Sequence, residues 1–327
     1  MVPFILRRLV QLIPTFLLAT LVAFVIIQLA PGDFLSQLKE NPRATAVQIQ
    51  QLTTLYGLDR PGWQQYFQWL FNLLRGDLGL SFQYNQPVLQ LIKGPALNSL
   101  ILVGISVVIS FAVAIPVGVY GALRPYSFGD RFSSFLAYFG LGIPSFFFAL
   151  LAIYALLVTQ QTTGWDMPIG GKTSGSLPAD ISAGRHAWDI FVHALVPSII
   201  LVLRSISSDS RVIRGQMLET MGQDYIRTAR AKGLGDRQVT YKHALKIALL
   251  PIIASIGGFL PALIGGAGFV EVVFSWPGLT PMLLSAFFNN DLYVLMSTLA
   301  VSTLLYIIGN LLSDLLLAAV DPRIRYT

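Results

Sequence analysis

Five stretches of this chain, residues 9–30, 96–123, 132–158, 247–270 and 292–313, contain no Asp, Glu, Lys or Arg. A helix rises about 1.5 Å per residue and a bilayer's hydrocarbon core is about 30 Å thick, so each stretch is long enough to cross it. Composition agrees: 54% of residues are hydrophobic and 12% charged, against roughly 25% charged in ordinary soluble domains. The sequence therefore predicts an all-α polytopic membrane protein, and the fold question becomes how many crossings there are and which way they face.

A sixth stretch is weaker. Residues 190–203 are uncharged but bounded by Asp189 and Arg204, which gives only about 21 Å of helix. The expectation is that helix continues through Arg204 toward Ser208. Charge distribution argues for this crossing. With six spans and the N-terminus inside, 15 of the 22 Lys and Arg fall on the inner side and seven outside. Omitting the span would strand the most basic loop outside, against the positive-inside tendency. Arg7 and Arg8 anchor the first span from within. A cleaved signal peptide fits poorly, because its apolar region would be shorter and Gln28-Leu29-Ala30 before Pro31 is a poor cleavage site. The chain is thus divided into residues 1–30 with the first span, a polar outer region at 31–95, and a core at 96–327 holding the other five spans, with both termini cytoplasmic.

Two outer segments separate the spans. Within 31–95, turn chemistry stands at Gly57-Leu58-Asp59-Arg60-Pro61 and Gly76-Asp77-Leu78-Gly79. Between them Trp63, Tyr66, Phe67, Trp69, Leu70 and Leu73 recur at helical steps, an amphipathic helix that either lies on the membrane surface or caps a pore entrance. Residues 159–189, rich in Gly, Ser and Thr, read as irregular loop.

Several chemistries are excluded. Cysteine is absent, which removes disulfides, zinc knuckles and thiol catalysis. No Gly-x-x-x-x-Gly-Lys-Ser/Thr phosphate loop occurs, so the chain does not bind ATP by that route and any motor must be a partner. His186, His193 and His243 are scattered and no metal site is expected from them; His193 reads as a packing residue at a helix end. The net charge of +6 reads as orientation signal and membrane lipid contact, with no nucleic acid partner. Arg204 and Asp314 are the ionisable residues nearest the spans, and Asp314 could pair with Arg204 or reach the inner interface. Glu271 is expected at a solvated outer helix end, or touching substrate. Pro and Gly cluster in spans two, three and five; Pro144, Ser145, Gly257, Gly258 and Pro261 are the candidate gating positions, because Pro kinks a helix and Gly permits close approach.

The segment between the fourth and fifth spans carries the sharpest signal. Eight Lys or Arg between Arg211 and Lys246 face only Glu219, Asp224 and Asp236. Met217, Met221, Tyr225 and Ala229 fall at i, i+4 steps and would share one face. Asp224 is a candidate N-cap, Gly233 a left-handed stop, and Asp236 the cap of the next helix. The plainer alternative is a basic loop that only orients the protein.

The order of motifs resembles the bacterial binding-protein-dependent ABC importer permeases of the dipeptide/oligopeptide/nickel group. It is carried by Arg7-Arg8-Leu9, Leu29-Ala30-Pro31-Gly32-Asp33, Gly142-Ile143-Pro144-Ser145-Phe146 and His193-Ala194-Leu195-Val196-Pro197. Further matches are Asp224-Tyr225-Ile226-Arg227-Thr228-Ala229-Arg230-Ala231-Lys232-Gly233, Leu250-Pro251, Glu271 through Leu279, and Asp321-Pro322-Arg323-Ile324-Arg325-Tyr326. Arg227-Thr228-Ala229 stands where the wider class has Glu-Ala-Ala. The resemblance implies a type I ABC importer permease fold with six transmembrane helices and a cytoplasmic coupling helix at about 224–233, in the first of two permease subunits. It implies ATPase contact by Asp224, Tyr225, Arg227, Thr228, Ala229, Arg230, Lys232 and Gly233. Implied partners are a second homologous permease, two cytoplasmic ATPases that hold ATP and Mg, and a periplasmic or extracellular solute-binding protein, all at the bacterial cytoplasmic membrane. Peptides are the implied cargo, with nickel or another small solute as the alternative. An intramembrane enzyme would need paired polar catalysts at one depth, which the sequence lacks, and a mere structural anchor would not need the basic segment.

Overall fold

A computed structural model describes residues 2–29, 59–81, 83–175, 177–178, 180–258 and 267–320, together with Val47, Ile49, Gln50, Thr53, Thr54 and Gly57. Among the described residues the secondary structure is helical, apart from one isolated bridge between Leu80 and Pro87. Pro261, the Pro31-Gly32-Asp33 motif and the residues from Asp321 onward lie outside them. Among the described residues four helices are long and apolar enough to cross a membrane: Val88–Leu123, Ser145–Thr163, Ala183–Met221 and Leu292–Ala319. A further 28-residue helix, Val2–Leu29, carries the shorter apolar stretch Leu12–Ile26. The chain divides into two compact units, Met1–Leu97 with Gly278–Ile307, and Asn98–Pro277 with Ile308–Thr327.

The first unit contains α1 (Val2–Leu29), α2 (Gly62–Leu74), the start of α3 (Val88–Leu123), α12 (Leu279–Phe288) and the first part of α13 (Leu292–Val320). Tyr66 and Trp69 of α2 pack against Phe24 of α1 and Met296 and Ala300 of α13. The Tyr66 hydroxyl sits 3.0 Å from the Thr20 hydroxyl and 3.2 Å from the Leu17 carbonyl, which pays its desolvation with partners inside the contact. Asp291 is fully buried before α13, where its carboxylate accepts from the Ser81 hydroxyl, the Gln83 amide and the Val294 amide. It is an N-cap that also binds Ser81 and Gln83.

The second unit contains α4 (Phe128–Gly142), α5 (Ser145–Thr163), α6 (Ala183–Met221), α7 (Asp224–Ala231) and a run of short pieces. Those pieces are α8 (Asp236–Gln238), a π-helix at Val239–Ala244, α9 (Leu245–Ala248), α10 (Leu250–Ser255), a 3₁₀ turn at Ile256–Gly258 and α11 (Gly268–Val273).

Four expectations about spans and loops change here. The third span is two helices, because Pro144 offers no amide and biases Ile143 to extended backbone, with φ −107° and ψ 131°. The segment 159–189 is less irregular than its composition: α5 runs to Thr163, where Gly164 in the left-handed region stops it, and α6 begins at Ala183. The weak fourth span belongs to a 39-residue helix that extends past Ser208 to Met221, with Arg204 exposed. The fifth span is not one helix. Its described part breaks at Leu249, where Pro251 in the first turn of α10 limits continuation, and again at Gly257.

Glu271, expected at a solvated helix end, is fully buried and accepts from the Ser99 hydroxyl. The chain then turns sharply: Trp276 N–H donates to the Glu271 carbonyl at 2.8 Å, and Ser275 takes φ +50°. The Trp276 indole donates to the Asn98 carbonyl at 3.0 Å and Asn98 Nδ2 donates to the Pro277 carbonyl at 2.8 Å. Phe274 and Trp276 are both buried beneath this turn.

Gly257 and Gly309 meet backbone to backbone. A Cβ on Gly257 would lie 2.7 Å from the Gly309 carbonyl oxygen, and no side chain rotation relieves that contact. Gly309→Val is expected to lower stability by about 1–3 kcal/mol by overpacking. Thermal unfolding of the purified protein in detergent checks it, and an unchanged midpoint would remove the close-approach role.

Candidate coupling site

An eight-residue helix does not hold itself folded in water, so α7 must be held by what it packs on. Ile226 is fully buried and Ala229 nearly so, three residues apart on one face. They join a cluster with Ala114, Val119 and Ala122 of α3, Ile213 and Met217 of α6, and Val239 and Ala244 of the π-helix. Ala248 and Ile252 extend the same cluster into α9 and α10. Fully burying an Ile contributes roughly 1.5–3 kcal/mol, enough to fix a helix this short.

Both ends of α7 have defined stops. Gln223, not Asp224, occupies the N-cap position; Asp224 begins the first turn, and its carboxylate lies 3.3 Å from Arg227. An acidic residue there still suits the positive end of the helix. At the other end Gly233 N–H donates to the Arg230 carbonyl at 2.9 Å and Leu234 N–H to the Ala229 carbonyl at 3.3 Å. With Gly233 at φ +79° this is a Schellman stop, and Leu234 packs into the same apolar cluster. Gly235 rather than Asp236 precedes α8, and the Asp236 carboxylate instead lies 3.6 Å from Arg230.

The expected common face of Met217, Met221, Tyr225 and Ala229 does not exist. α6 ends at Met221, Gly222-Gln223 turn the chain, and Tyr225 is exposed while Ala229 faces inward. Asp224, Tyr225, Arg227, Thr228, Arg230 and Lys232 form the outward surface, with Gly233 exposed at its end. Among the eight residues assigned to partner contact, Ala229 is therefore seated on its own chain. Ile226 is the seating residue that sequence pattern did not single out; its three-residue spacing from Ala229 within a polar segment was the available signal.

A second fixed point lies nearby. Asp130, in the first turn of α4, accepts Arg214 Nε at 2.7 Å and Arg214 Nη2 at 2.9 Å, and also the Tyr126 amide at 2.8 Å. The Arg214 guanidinium holds the Asp130 carboxyl below its ordinary range. Gly121 of α3 makes room for this pair, since a Cβ there would lie 2.8 Å from Asp130 Oδ1. The bidentate pair ties the start of α4 to α6, one turn from Met217.

The gating candidates occupy two separate chain breaks. Pro144 and Ser145 form the exposed start of α5; Gly257 and Gly258 form the 3₁₀ turn after α10. Ser313 of α13, not singled out by sequence, donates its hydroxyl toward the Ile253 and Ala254 carbonyls at 2.8 and 2.7 Å, at the end of α10 where the Ile256 amide also donates to the Ile253 carbonyl. Among the described residues there is no cluster of three or more His, Cys, Asp or Glu suited to a metal.

Residues 114–326 match the family described as binding-protein-dependent transport system inner membrane component, and residues 1–100 match the N-terminal region described for such membrane components. The chain belongs to this family. It is a multi-pass inner-membrane transport component. Similar curated relatives include the oligopeptide transport system permease protein AppB of Bacillus subtilis, 38% identical over the whole of both chains. A putative peptide permease protein of Brucella ovis is 35% identical, again over both whole chains. The dipeptide transport system permease protein DppB of Escherichia coli is 34% identical, covering all of this chain and 99% of that one.

Two outcomes follow for this transport component. Ile226→Ala is expected to cost about 2–5 kcal/mol of local packing, whereas Arg227→Ala, an exposed pair partner, should cost under about 1 kcal/mol. Limited trypsin digestion reads the difference: cleavage at Arg230 and Lys232 should accelerate only in the first variant. For the ion pair, a lowered carboxyl value means stability present above the ordinary Asp value and lost as pH falls through the folded one. Asp130→Asn should therefore lower the melting temperature at pH 7 and flatten its decline below about pH 4.

Proposed function

We propose that this chain is the pore-forming permease subunit of an ATP-driven importer for di- and oligopeptides. The observation that carries the coupling half of this reading is α7 itself: a helix seated through Ile226 and Ala229 with a polar, mostly basic outer face. Such a rod fits a groove on a separate ATPase, which must supply the energy because the chain lacks a phosphate-binding loop. The names of the AppB and DppB relatives support peptide as cargo. The chain crosses the membrane six times with both termini cytoplasmic, pairs with a second permease, and receives substrate from an outer binding protein. Opening and closing around the breaks at Pro144-Ser145 and Gly257-Gly258, together with Pro261, supply alternating access without covalent chemistry. ATP and Mg act on the partner ATPases.

On this reading, the outward side chains contact the ATPase and the inward ones transmit its movement to α3 and α6. Arg227→Glu should lower peptide uptake by about tenfold, equivalent to about 1.4 kcal/mol of docking, while membrane insertion is unchanged. Gly233→Val should do the same by a different route, because a β-branched residue at φ +79° costs about 1–2 kcal/mol and unseats the stop. Site-specific cross-linking from position 227 should capture the ATPase. Normal uptake by both variants, or capture of no ATPase, would remove the coupling assignment. Reporters fused after Lys232 and near Lys172 should read cytoplasmic and external; the opposite sides would invert the topology.

A further inference from the structure

Helix α2 is apolar on more of its circumference than its protein contacts use. At 3.6 residues per turn, Gln64, Gln65, Gln68 and Asn72 occupy one arc of roughly 100°, and apolar side chains fill about 200° on the rest. Half of that apolar arc is taken up by Tyr66, Trp69, Leu70 and Leu73, which pack with α1 and α13. The other half is bare: Trp63 is 64% exposed, Phe67 60%, Phe71 51% and Leu74 77%. These four form one continuous stripe at i, i+4, i+8 and i+11.

The contacts with α1 fix how deep this stripe lies. Phe24, whose ring centroid is 5.5 Å from that of Tyr66, lies five residues inside the end of α1 at Leu29, about 8 Å along a helix axis. The Tyr66 hydroxyl reaches further, to Thr20 and Leu17. A helix resting in a membrane surface buries its apolar face about 5–10 Å below the headgroup boundary, which is the level these contacts set. Exposed Val22 and Val25 on α1 occupy the same level, and exposed Leu21 and Leu18 lie deeper. At the end of α2 the Arg75 guanidinium lies 4.0 Å from the centroid of the Phe71 ring, where a long cationic side chain can cover an aromatic face while reaching the polar boundary.

We propose that α2 is a membrane-embedded interfacial helix whose Trp63, Phe67, Phe71 and Leu74 stripe is covered by lipid acyl chains, with its glutamine face turned to water. It thereby adds a lateral footing to α1 in the outer leaflet. The leaflet rests on the orientation proposed above; lipid contact rests only on α1 and α13 crossing the membrane, and not on ATPase docking. A soluble partner would have to reach this stripe below the headgroups, so the lipid phase is the occupant that its depth favours.

The absence of cysteine makes spin-label accessibility a direct test. Phe67→Cys, Leu74→Cys, Gln68→Cys and the α1 reference Leu18→Cys are labelled one at a time in the full chain, co-purified with its partner subunits and placed in lipid nanodiscs. Labels at 67 and 74 should collide with oxygen strongly and be shielded from an aqueous nickel chelate, as the deeper label at 18 is. The label at 68 should show the reverse. Strong nickel collision at 67 and 74 would overturn the proposal, and so would low collision with both reagents, which marks a protein cover. Two positions guard against one disruptive substitution, and only variants retaining wild-type uptake are scored. Loss of the lipid signature at 18 would instead refute the membrane crossing of α1.

Discussion

Every interruption of a helix inside a bilayer must hide its freed backbone groups from lipid, since each unsatisfied group there costs several kcal/mol. The helices of this chain are interrupted at several points, and the structure shows what is done with two of them. Where α10 ends, the Ser313 hydroxyl turns to the Ile253 and Ala254 carbonyls, and Gly257 lies against Gly309 so closely that no side chain fits between. Where α4 ends, Pro144 begins a fresh helix whose first turn closes with the Phe147 amide on its carbonyl. At these two breaks the Ile253, Ala254 and Pro144 carbonyls each have a partner.

The same economy governs the seat of α7. The π-helix at Val239–Ala244 widens one turn, which is common where a helix is bent to a purpose, and it places Val239 and Ala244 beside Ile226 and Ala229. A single apolar cluster thus receives side chains from α3, α6, α7 and the beginning of the fifth span. A force applied to α7 is shared among all of them through close packing, which transmits strain because it leaves little free volume. Asp130 and Arg214 add a directional link from α6 to α4.

The helical class and the long helices Val88–Leu123 and Leu292–Val320 were legible because charge-free runs of more than twenty residues have few other uses. The stop at Gly233 was legible too, since a glycine after a short polar helix points to a left-handed cap, and it has φ +79°. Other features were not. Asp224 and Asp236 looked like caps because local preference favours Asp there, yet each carboxylate is spent on a nearby Arg. The shared face through Met217 and Ala229 assumed a continuous helix, and Gly222 broke the register. Glu271 looked solvated because charge in a chain is read as surface; its partner Ser99 is 172 residues away, beyond the reach of any local pattern. Ser313 and Gly309 carry no local signal beyond being small residues in an apolar run.

Helix α6 runs 39 residues without interruption, a rod of about 58 Å. One end carries Trp188, Asp189 and His193, and there Asp189 accepts the Ser174 amide and hydroxyl; the other end carries Met217 in the α7 seat. A lever of that length trades angle for distance: a tilt of about 10° about one end sweeps the other through about 10 Å. Pro197 is the one place along it where the missing amide would let part of that swing be absorbed as flexure.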